Sequence, residues 1–431
     1  MIESLIGFAA ALALCLIRVP IAIALGLVGF IGFGLLINWD ASMAQVAQVT
    51  AETGLDYGLS AVPLFVLMGN LVTRAGLSDE LYAASNAFLG HRRGGLAYAT
   101  IIACGGFSTV CGSSVATAAT MTSVAMPSMR RFRYRDELAV GSIAAGGTLG
   151  ILIPPSIVLV IYGLLTQASI GKLFAAGILP GLVAITFYGL AIFVITRIDP
   201  DAGPPGERQS WAMRLKALRA VWGVLLLFIV TMGGIYMGVF TPTEAAGIGA
   251  IGAFLFAVLR RALNLSDLID VLADSAYLTA TLFFVLIGAL LFANFVNTAG
   301  MTQQLGAFVL KLELSPYAVI WVIMLIYLIL GCVFESISMV LLTVPIFFPL
   351  VQNLGFDLIW FGIVVVCVTE LSLITPPVGL NIFVVRGMLP DVPTSTIIRG
   401  LVPFIAADIL RLVVIVHIPW LSLVLPRMLF D

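Results

Sequence analysis

Ile374-Thr375-Pro376-Pro377-Val378-Gly379-Leu380-Asn381 interrupts an apolar stretch late in the chain, and Ile153-Pro154-Pro155-Ser156 interrupts another at an offset of 222 residues. Proline has no backbone N–H, so a proline pair inside a helix ends its hydrogen-bond ladder. Where the surrounding sequence is apolar enough to lie in a bilayer, such a break survives only if protein buries it or it lines a cavity. Two matched breaks in two halves of a chain point to a binding site near the membrane midplane.

The surrounding sequence is apolar enough. Of 431 residues, 61% are hydrophobic and 10% charged, against roughly 25% charged in a soluble domain. The expected fold is an all-α polytopic membrane protein in the lipid bilayer. A net charge of -1 gives no basis for nucleic acid. The apolar pattern begins at Leu5 without a basic n-region, so no cleavable signal is expected. Five cysteines (Cys15, Cys104, Cys111, Cys332, Cys367) lie in apolar segments without metal-ligand spacing, and the two histidines, His91 and His417, are far apart. Zinc and Ser-His-Asp chemistry are not expected on that count. No catalytic set is visible, and an intramembrane enzyme would need one.

Outward from the breaks, apolar runs predict helices at 3–17, 20–38 and 57–73, then a basic loop from Arg74 to Arg93. Two short arms, 95–110 and 114–128, flank Cys111-Gly112-Ser113-Ser114. A broken helix (138–152, 156–166) and a helix at 172–197 follow. After a polar linker, 199–219, the pattern recurs. Helices are expected at 220–238, 243–261 and 276–297, arms at 317–333 and 337–351, a broken helix at 357–374 and 378–389, and a last helix at 397–425. Pro20, Pro127, Pro154 and Pro155 each have a proline 222 residues later, and Asn70 and Ala75-Gly76 recur as Asn294 and Ala299-Gly300 at an offset of 224. The chain therefore divides into a first repeat (1–198), a cytoplasmic linker (199–219) and a second repeat (220–431).

Loop charge sets the expected orientation, because short cytoplasmic loops are enriched in Lys and Arg. The first pair of arms is bracketed by Arg92-Arg93 and by Arg130-Arg131-Phe132-Arg133-Tyr134-Arg135, so it reads as a re-entrant hairpin based inside. The second pair is bracketed by Leu312-Glu313-Leu314-Ser315 and Gln352-Asn353-Leu354-Gly355, which places its base outside. Each half then has five crossings plus a hairpin. Five is odd, so the repeats are inverted and the N-terminus at Met1 is expected outside.

The first tip, Gly105-Gly106-Phe107-Ser108-Thr109-Val110-Cys111-Gly112-Ser113-Ser114, offers carbonyls and hydroxyls suited to a hard cation, and a helix N-terminus at Ser113 suited to an anion. Small residues also pack membrane helices with no ligand at all, and that alternative stays open here. The second tip, Gly331-Cys332-Val333-Phe334-Glu335-Ser336-Ile337-Ser338, carries an acid. Glu335 and Glu370 are ionisable groups in apolar segments, and each could serve a cation, a proton or the local backbone. Glu244 in Thr241-Pro242-Thr243-Glu244 reads as a helix cap, Asp408 and Arg411 as an i,i+3 pair, and Arg386 as lying at the cytoplasmic end. Asn381, one turn past the second break, can donate to a carboxylate.

Pro63-Leu64-Phe65-Val66-Leu67-Met68-Gly69-Asn70, Gly234-Ile235-Tyr236-Met237-Gly238-Val239-Phe240-Thr241-Pro242-Thr243-Glu244-Ala245-Ala246 and the Pro376-Pro377 stretch resemble the large membrane (M, or DctM-type) subunit of tripartite ATP-independent periplasmic (TRAP) transporters. The resemblance covers nearly the whole chain. It implies a sodium-driven elevator-type permease of the bacterial inner membrane, in which a hairpin-bearing domain slides against a scaffold formed mainly by 3–38, 57–73 and 220–297. It implies a small organic anion as cargo, such as a C4-dicarboxylate or sialic acid. Its partners would be a small Q subunit and a periplasmic binding (P) protein. No Q-like extension precedes Met1, so the Q subunit is expected as a separate chain.

Carried onto this sequence, one sodium would use Ser108, Ser113 and Ser114 with Gly147, Gly150 and Ile153. A second would use Glu335 and Ser336 with Ser372, Thr375 and Val378. The anion would lie against Ser113, Ser114, Pro155, Ser336, Pro377 and Asn381. Ser372 and Cys111 stand where family members often have glycine. A stand-alone ion-coupled exchanger of the same architecture is the alternative within transport, and a non-transporting structural subunit gives no reason for two matched breaks.

Overall fold

The computed structural model describes residues 2–311, 313–331 and 334–430, so Met1, Leu312, Cys332 and Val333 of the expectations above lie outside the described residues. The described chain is helical, without a strand. In order, the helices are α1 (Ile2–Leu16), α2 (Ile21–Leu36), α3 (Trp39–Leu55), α4 (Ala61–Arg74), α5 (Leu77–Leu89), α6 (Gly95–Cys111), α7 (Ser114–Arg131), α8 (Asp136–Thr148), α9 (Ile157–Thr166) and α10 (Ile170–Ile198). A connecting helix α11 (Trp211–Ala220) leads to α12 (Trp222–Tyr236), α13 (Pro242–Leu259), α14 (Leu265–Thr298), α15 (Met301–Lys311), α16 (Pro316–Leu330), α17 (Ser336–Asn353), α18 (Leu358–Ile374), α19 (Leu380–Met388), α20 (Thr394–His417) and α21 (Trp420–Phe430). Five of these are long and apolar enough to cross a membrane singly, or up to seven spans if each of two bent pairs counts as one.

The order repeats element by element. α1, α2, α5 to α9 and α10 recur as α12, α13, α15 to α19 and α20, at the offsets seen in the prolines. The pair α3 and α4, bent by 59°, recurs as the single long α14. The sequence explains that difference. The Asp56 carboxylate accepts the backbone N–H of Gly58 at 2.7 Å and of Leu59 at 3.2 Å, which turns the chain out of the helix. At the matching offsets the second half has Leu278 and Ala280, which offer the backbone no competing acceptor.

Contacts between distant segments sort the loops into two ends. At one end Gly94 N donates to Gly203 O (2.8 Å), Arg214 Nε to Ala87 O (3.0 Å) and Arg260 pairs with Glu80 (2.8 Å). Ion pairs Arg74–Asp267, Arg130–Asp391 and Arg135–Asp199 close the same end. At the other end Tyr162 Oη donates to Leu358 O (2.7 Å), Trp360 Nε1 to Ile415 O (3.1 Å), and Tyr317 stacks on His417 with centroids 5.5 Å apart. The base of hairpin α6–α7 lies at the first end and that of α16–α17 at the second. The broken helix α8–α9 therefore runs opposite to α18–α19.

Several expectations are corrected here. The segment from Arg74 to Arg93 is not simply a loop. It holds α5, which buries Leu77, Leu81, Tyr82 and Ala84 on one face. The 199–219 linker carries most of α11, capped by Ser210, whose Oγ accepts from Met213 N at 3.3 Å. The polar α3 and the short α15 were not expected at all. α14 starts at 265 rather than 276, because Asn264 and Asp267 form a capping box there. The expected final helix is two, with His417 at the end of α20 rather than inside a span. Glu244 is the capping-box residue anticipated, closing on Thr241 at the start of α13.

Candidate functional site at the hairpin tips and helix breaks

Each break sits against the tip of its own repeat's hairpin. Helix α6 ends at Gly112, whose φ of 67° reverses the chain at low steric cost. Ser113 then caps α7 in an extended conformation, its Oγ accepting from Ala116 N. A Cβ on Gly112 would lie 2.9 Å from Pro155 O, and one on Gly150 would lie 2.5 Å from Ser113 O and 2.8 Å from Thr117 Oγ1. Only glycine admits this approach of tip to break. Ser113, Ser114, Gly147, Gly150 and Pro155 are thereby brought together, since Gly147 faces Ala118 on α7.

Not every candidate turns its side chain into that junction. Ser108 is fully buried and its hydroxyl donates to Cys104 O at 2.6 Å, within its own helix. Ile153 packs against Gly181 of α10. Ser156, part of the first break but given no role by the sequence, caps α9: its Oγ accepts from Leu159 N at 3.2 Å and donates to Ile151 O. No backbone N–H among the described residues donates to the carbonyls of Ile153 or Pro155. Both Pro154-Pro155 and Pro376-Pro377 peptides are cis.

The second junction is more open. A Cβ on Gly331 would collide with Ser372, so this tip also rests directly on its break. Ser372 is buried and its Oγ donates to Thr369 O at 2.7 Å, while Thr375 Oγ1 donates to Leu371 O at 2.6 Å. Glu335 is the N-cap of α17 but makes no side-chain cap bond, and it is exposed, as is Pro377. Ser336 is buried, and Thr375 and Val378 are half-buried. Gly379, with φ of 56°, redirects the chain into α19.

The two junctions are tied across the repeats. α19 packs along α7 and α9 packs along α17, so the outgoing half of each break lies beside the other repeat's hairpin. Asn381 is fully buried, and its Nδ2 donates to Ala144 O on α8 at 3.1 Å. Its amide hydrogen-bonds the other repeat, while Oδ1 has no partner among the described residues. Arg386 closes the C-terminal end of α19 by donating to Pro390 O (2.8 Å) and to Val392 O.

A second tie was only half legible. Asp408 and Arg411 pair at 3.1 Å, as their spacing suggests. Arg411 Nη1 also lies 2.7 Å from Glu370 Oε2 on α18. Tyr188 Oη donates to Asp408 Oδ2 at 2.7 Å and lies 3.0 Å from Thr148 Oγ1, at the end of α8. All five side chains are sealed from solvent. Thr148 and Glu370, on the two broken helices, are thus joined through α10 and α20.

The chemistry this permits is ligation by oxygen. Glycines admit carbonyls into close quarters, and hydroxyls and helix N-termini open there, an arrangement that suits a hard monovalent cation or a carboxylate. Among the described residues no cluster of three His, Cys, Asp or Glu could hold a transition metal.

Residues 8–421 match the family described as Tripartite ATP-independent periplasmic transporter, DctM component. The chain is 40% identical over 390 residues to the C4-dicarboxylate TRAP transporter large permease protein DctM of Pseudomonas aeruginosa, covering 90% of each. It is 32% identical over 402 residues to the sialic acid TRAP transporter large permease protein SiaM of Vibrio cholerae, covering 93% of each. In fold it resembles the Alcanivorax borkumensis YdaH transporter, with a TM-score of 0.65 at 16% identity over 97% of this chain and 98% of that one.

Proposed function

The chain belongs to the DctM-component family of tripartite ATP-independent periplasmic transporters, and on that premise we propose that it is the large permease subunit of a sodium-coupled importer of a small organic carboxylate. Its relatives are named for C4-dicarboxylates and for sialic acid, and the cargo proposed here is of that chemical class. The proposed partners are a small membrane subunit and a periplasmic binding protein. The proposed setting is the bacterial inner membrane, with the basic end cytoplasmic and the N-terminus periplasmic.

One observation carries the proposal: each hairpin tip is seated on its own repeat's proline break, at Gly150 against Ser113 O and at Gly331 against Ser372. The oxygens of Ser113 and Ser114 with the α8 break, and those of Ser336, Ser372 and Thr375, are the groups that would hold the coupling ions. Bound sodium supplies positive charge that lowers the cost of placing a carboxylate at membrane depth. The chain's own contribution is to hold the tips closed on the breaks and to present the N-termini of α7 and α17 to the anion. The Tyr188–Asp408–Arg411–Glu370 chain keys both breaks together, which favours movement of the hairpin-bearing part as one body, an elevator.

Uptake into proteoliposomes tests this. We expect accumulation only with an inward sodium gradient and with the binding protein present. Accumulation that is unchanged when potassium replaces sodium would refute sodium coupling.

A further inference from the structure

A cavity of about 360 Å³ opens at the basic end of the molecule, between the start of α6 and the end of α10. Its rim carries Arg92, Arg93 and Arg197, and its wall is made by Tyr98, Ile102 and Phe193. We propose that this cavity is a binding site for an anionic phospholipid, whose phosphate headgroup is held by the three arginines and whose acyl chains run down α6 and α10.

Three independent features point to an amphiphile. First, the arginines lack carboxylates. At the same end Arg74, Arg130, Arg135 and Arg260 each pair with an acid, whereas none pairs with Arg92, Arg93 or Arg197 among the described residues. The three arginines are exposed and line one cavity, and cations that share a cavity without counter-charge repel one another unless an anion joins them.

Second, the wall is apolar and faces outward. Ile102 is 44% exposed and Phe193 57% exposed. Ile102 lies one helical turn beyond Tyr98 on α6, and Phe193 one turn deeper than Arg197 on α10. Leu190 and Val194 are also exposed and continue the surface along α10. A small soluble anion would use the arginines and leave this wall wet.

Third, the groove is built in. Gly189 on α10 faces the Tyr98 ring, with an added Cβ lying 3.6 Å from Tyr98 Cε1, so the ring packs against α10 at ordinary van der Waals distance and closes the floor between the two helices. The α6 N-terminus does not compete for the phosphate, because Gly95 N donates to Arg92 O and Leu96 N to Tyr134 Oη. Basic pockets between membrane helices at the cytoplasmic side are a known mode of headgroup recognition.

The test is native mass spectrometry of the full-length permease in detergent, with any subunit that co-purifies. Dioleoyl phosphatidylglycerol is titrated against dioleoyl phosphatidylcholine, with glycerol 3-phosphate as the soluble competitor. Retention of the glycerol lipid should exceed that of the choline lipid by at least about tenfold. R92Q/R93Q/R197Q should abolish that preference, and R92K/R93K/R197K should keep most of it. R130Q/R135Q, which removes two charges from the same end, should leave it intact. A preference that survives the triple glutamine variant, or that falls equally in the R130Q/R135Q control, overturns the proposal. So does displacement of the lipid by equimolar glycerol 3-phosphate, which would make the ligand a free phosphate. If the glutamine variant is not recovered, the wild-type preference and the competition arm still decide.

Discussion

Arg411 Nη1 lies 2.7 Å from Glu370 Oε2, and both side chains are completely buried. The contact joins α20 to α18 a few residues before the second break, while Tyr188 carries the same cluster to Thr148 beside the first. It is a pairing of charges rather than an aligned hydrogen bond, since the Arg411 N–H groups find no well-directed acceptor. Buried pairs of this kind are costly to break from one side, because the survivor keeps its desolvation penalty without its partner.

Arg411→Met should therefore destabilise the protein by about 3–5 kcal/mol. Glu370→Gln should cost clearly less, because Asp408 still neutralises the guanidinium at 3.1 Å. The triple change E370Q/D408N/R411M should recover much of the loss, as neutral replacement of a buried ionic cluster often does. Thermal unfolding in detergent gives the order. Equal losses for R411M and E370Q would mean that the cluster is not an ionic one.

Gly150 is the tightest point of the first junction. A methyl group there meets Ser113 O at 2.5 Å and Thr117 Oγ1 at 2.8 Å, closer than real Cβ contacts come. Gly150→Ala should push the tip off the break and lower uptake at least about tenfold. Gly387→Ala is the matched control, because nothing lies within 4 Å of its added Cβ in α19. It should stabilise by about 0.5–1 kcal/mol and leave uptake unchanged. If both variants transport normally, the first junction is not part of the site.

Much of this junction was legible because it rests on local chemistry that repeats. Pro154 and Pro376 announce their breaks, Gly112 and Ser113 their reversal, and four prolines at one offset their symmetry. What hydropathy could not show was polar helix. α3 buries Ser42, Gln45, Val49 and Thr53, so its inward face is no more apolar than its outer one, with Trp39 and Met43 exposed. α5 is amphipathic rather than uniformly apolar, and its arginine-flanked sequence looked like loop. Nor could spacing reveal the Tyr188–Asp408 bond, whose partners are 220 residues apart and meet only when α10 packs on α20. The i,i+3 pair inside α20 was visible for the opposite reason.

Glu335 separates two coupling schemes. It is exposed and caps nothing with its side chain, so Glu335→Gln should change stability by no more than about 0.5 kcal/mol. If Glu335 belongs to the proposed second ion set, the variant should raise the half-saturating sodium concentration several-fold while leaving uptake sodium-dependent. Transport assays at varied sodium and pH distinguish the cases. Loss of concentrative uptake together with its pH dependence would instead mark Glu335 as a proton carrier.

His91 gives a pH handle outside the membrane. Partial burial and then the neighbouring Arg214, Arg208 and Arg92 hold its imidazole below the usual range, with Arg214 Nη2 3.5 Å from Nδ1. The unfolded chain therefore binds more protons than the folded one in that window, and stability rises with pH. The benefit of a neutral His91 is complete above about pH 6.5, the free imidazole value, and is lost as pH falls through the lowered one. Unfolding temperatures of wild type and His91→Gln should diverge between about pH 7 and 5, wild type losing more. Parallel curves would show that the ring feels no such field.

Orientation yields the last prediction. Arg130 pairs with Asp391 at one end, and Tyr317 stacks on His417 at the other. If short basic loops face the cytoplasm, the first pair is inside and the second outside. In a cysteine-free background, Arg130→Cys and Tyr317→Cys place single thiols at the two hairpin bases. An impermeant maleimide added to intact cells or right-side-out vesicles should label Tyr317→Cys directly and Arg130→Cys only after permeabilisation. The reverse pattern would turn the whole molecule over while leaving its internal inversion intact, because α8–α9 and α18–α19 run in opposite directions whichever face is outside. Labelling of both from one side is the outcome that the fold cannot accommodate, since the two bases lie at opposite ends of the bundle.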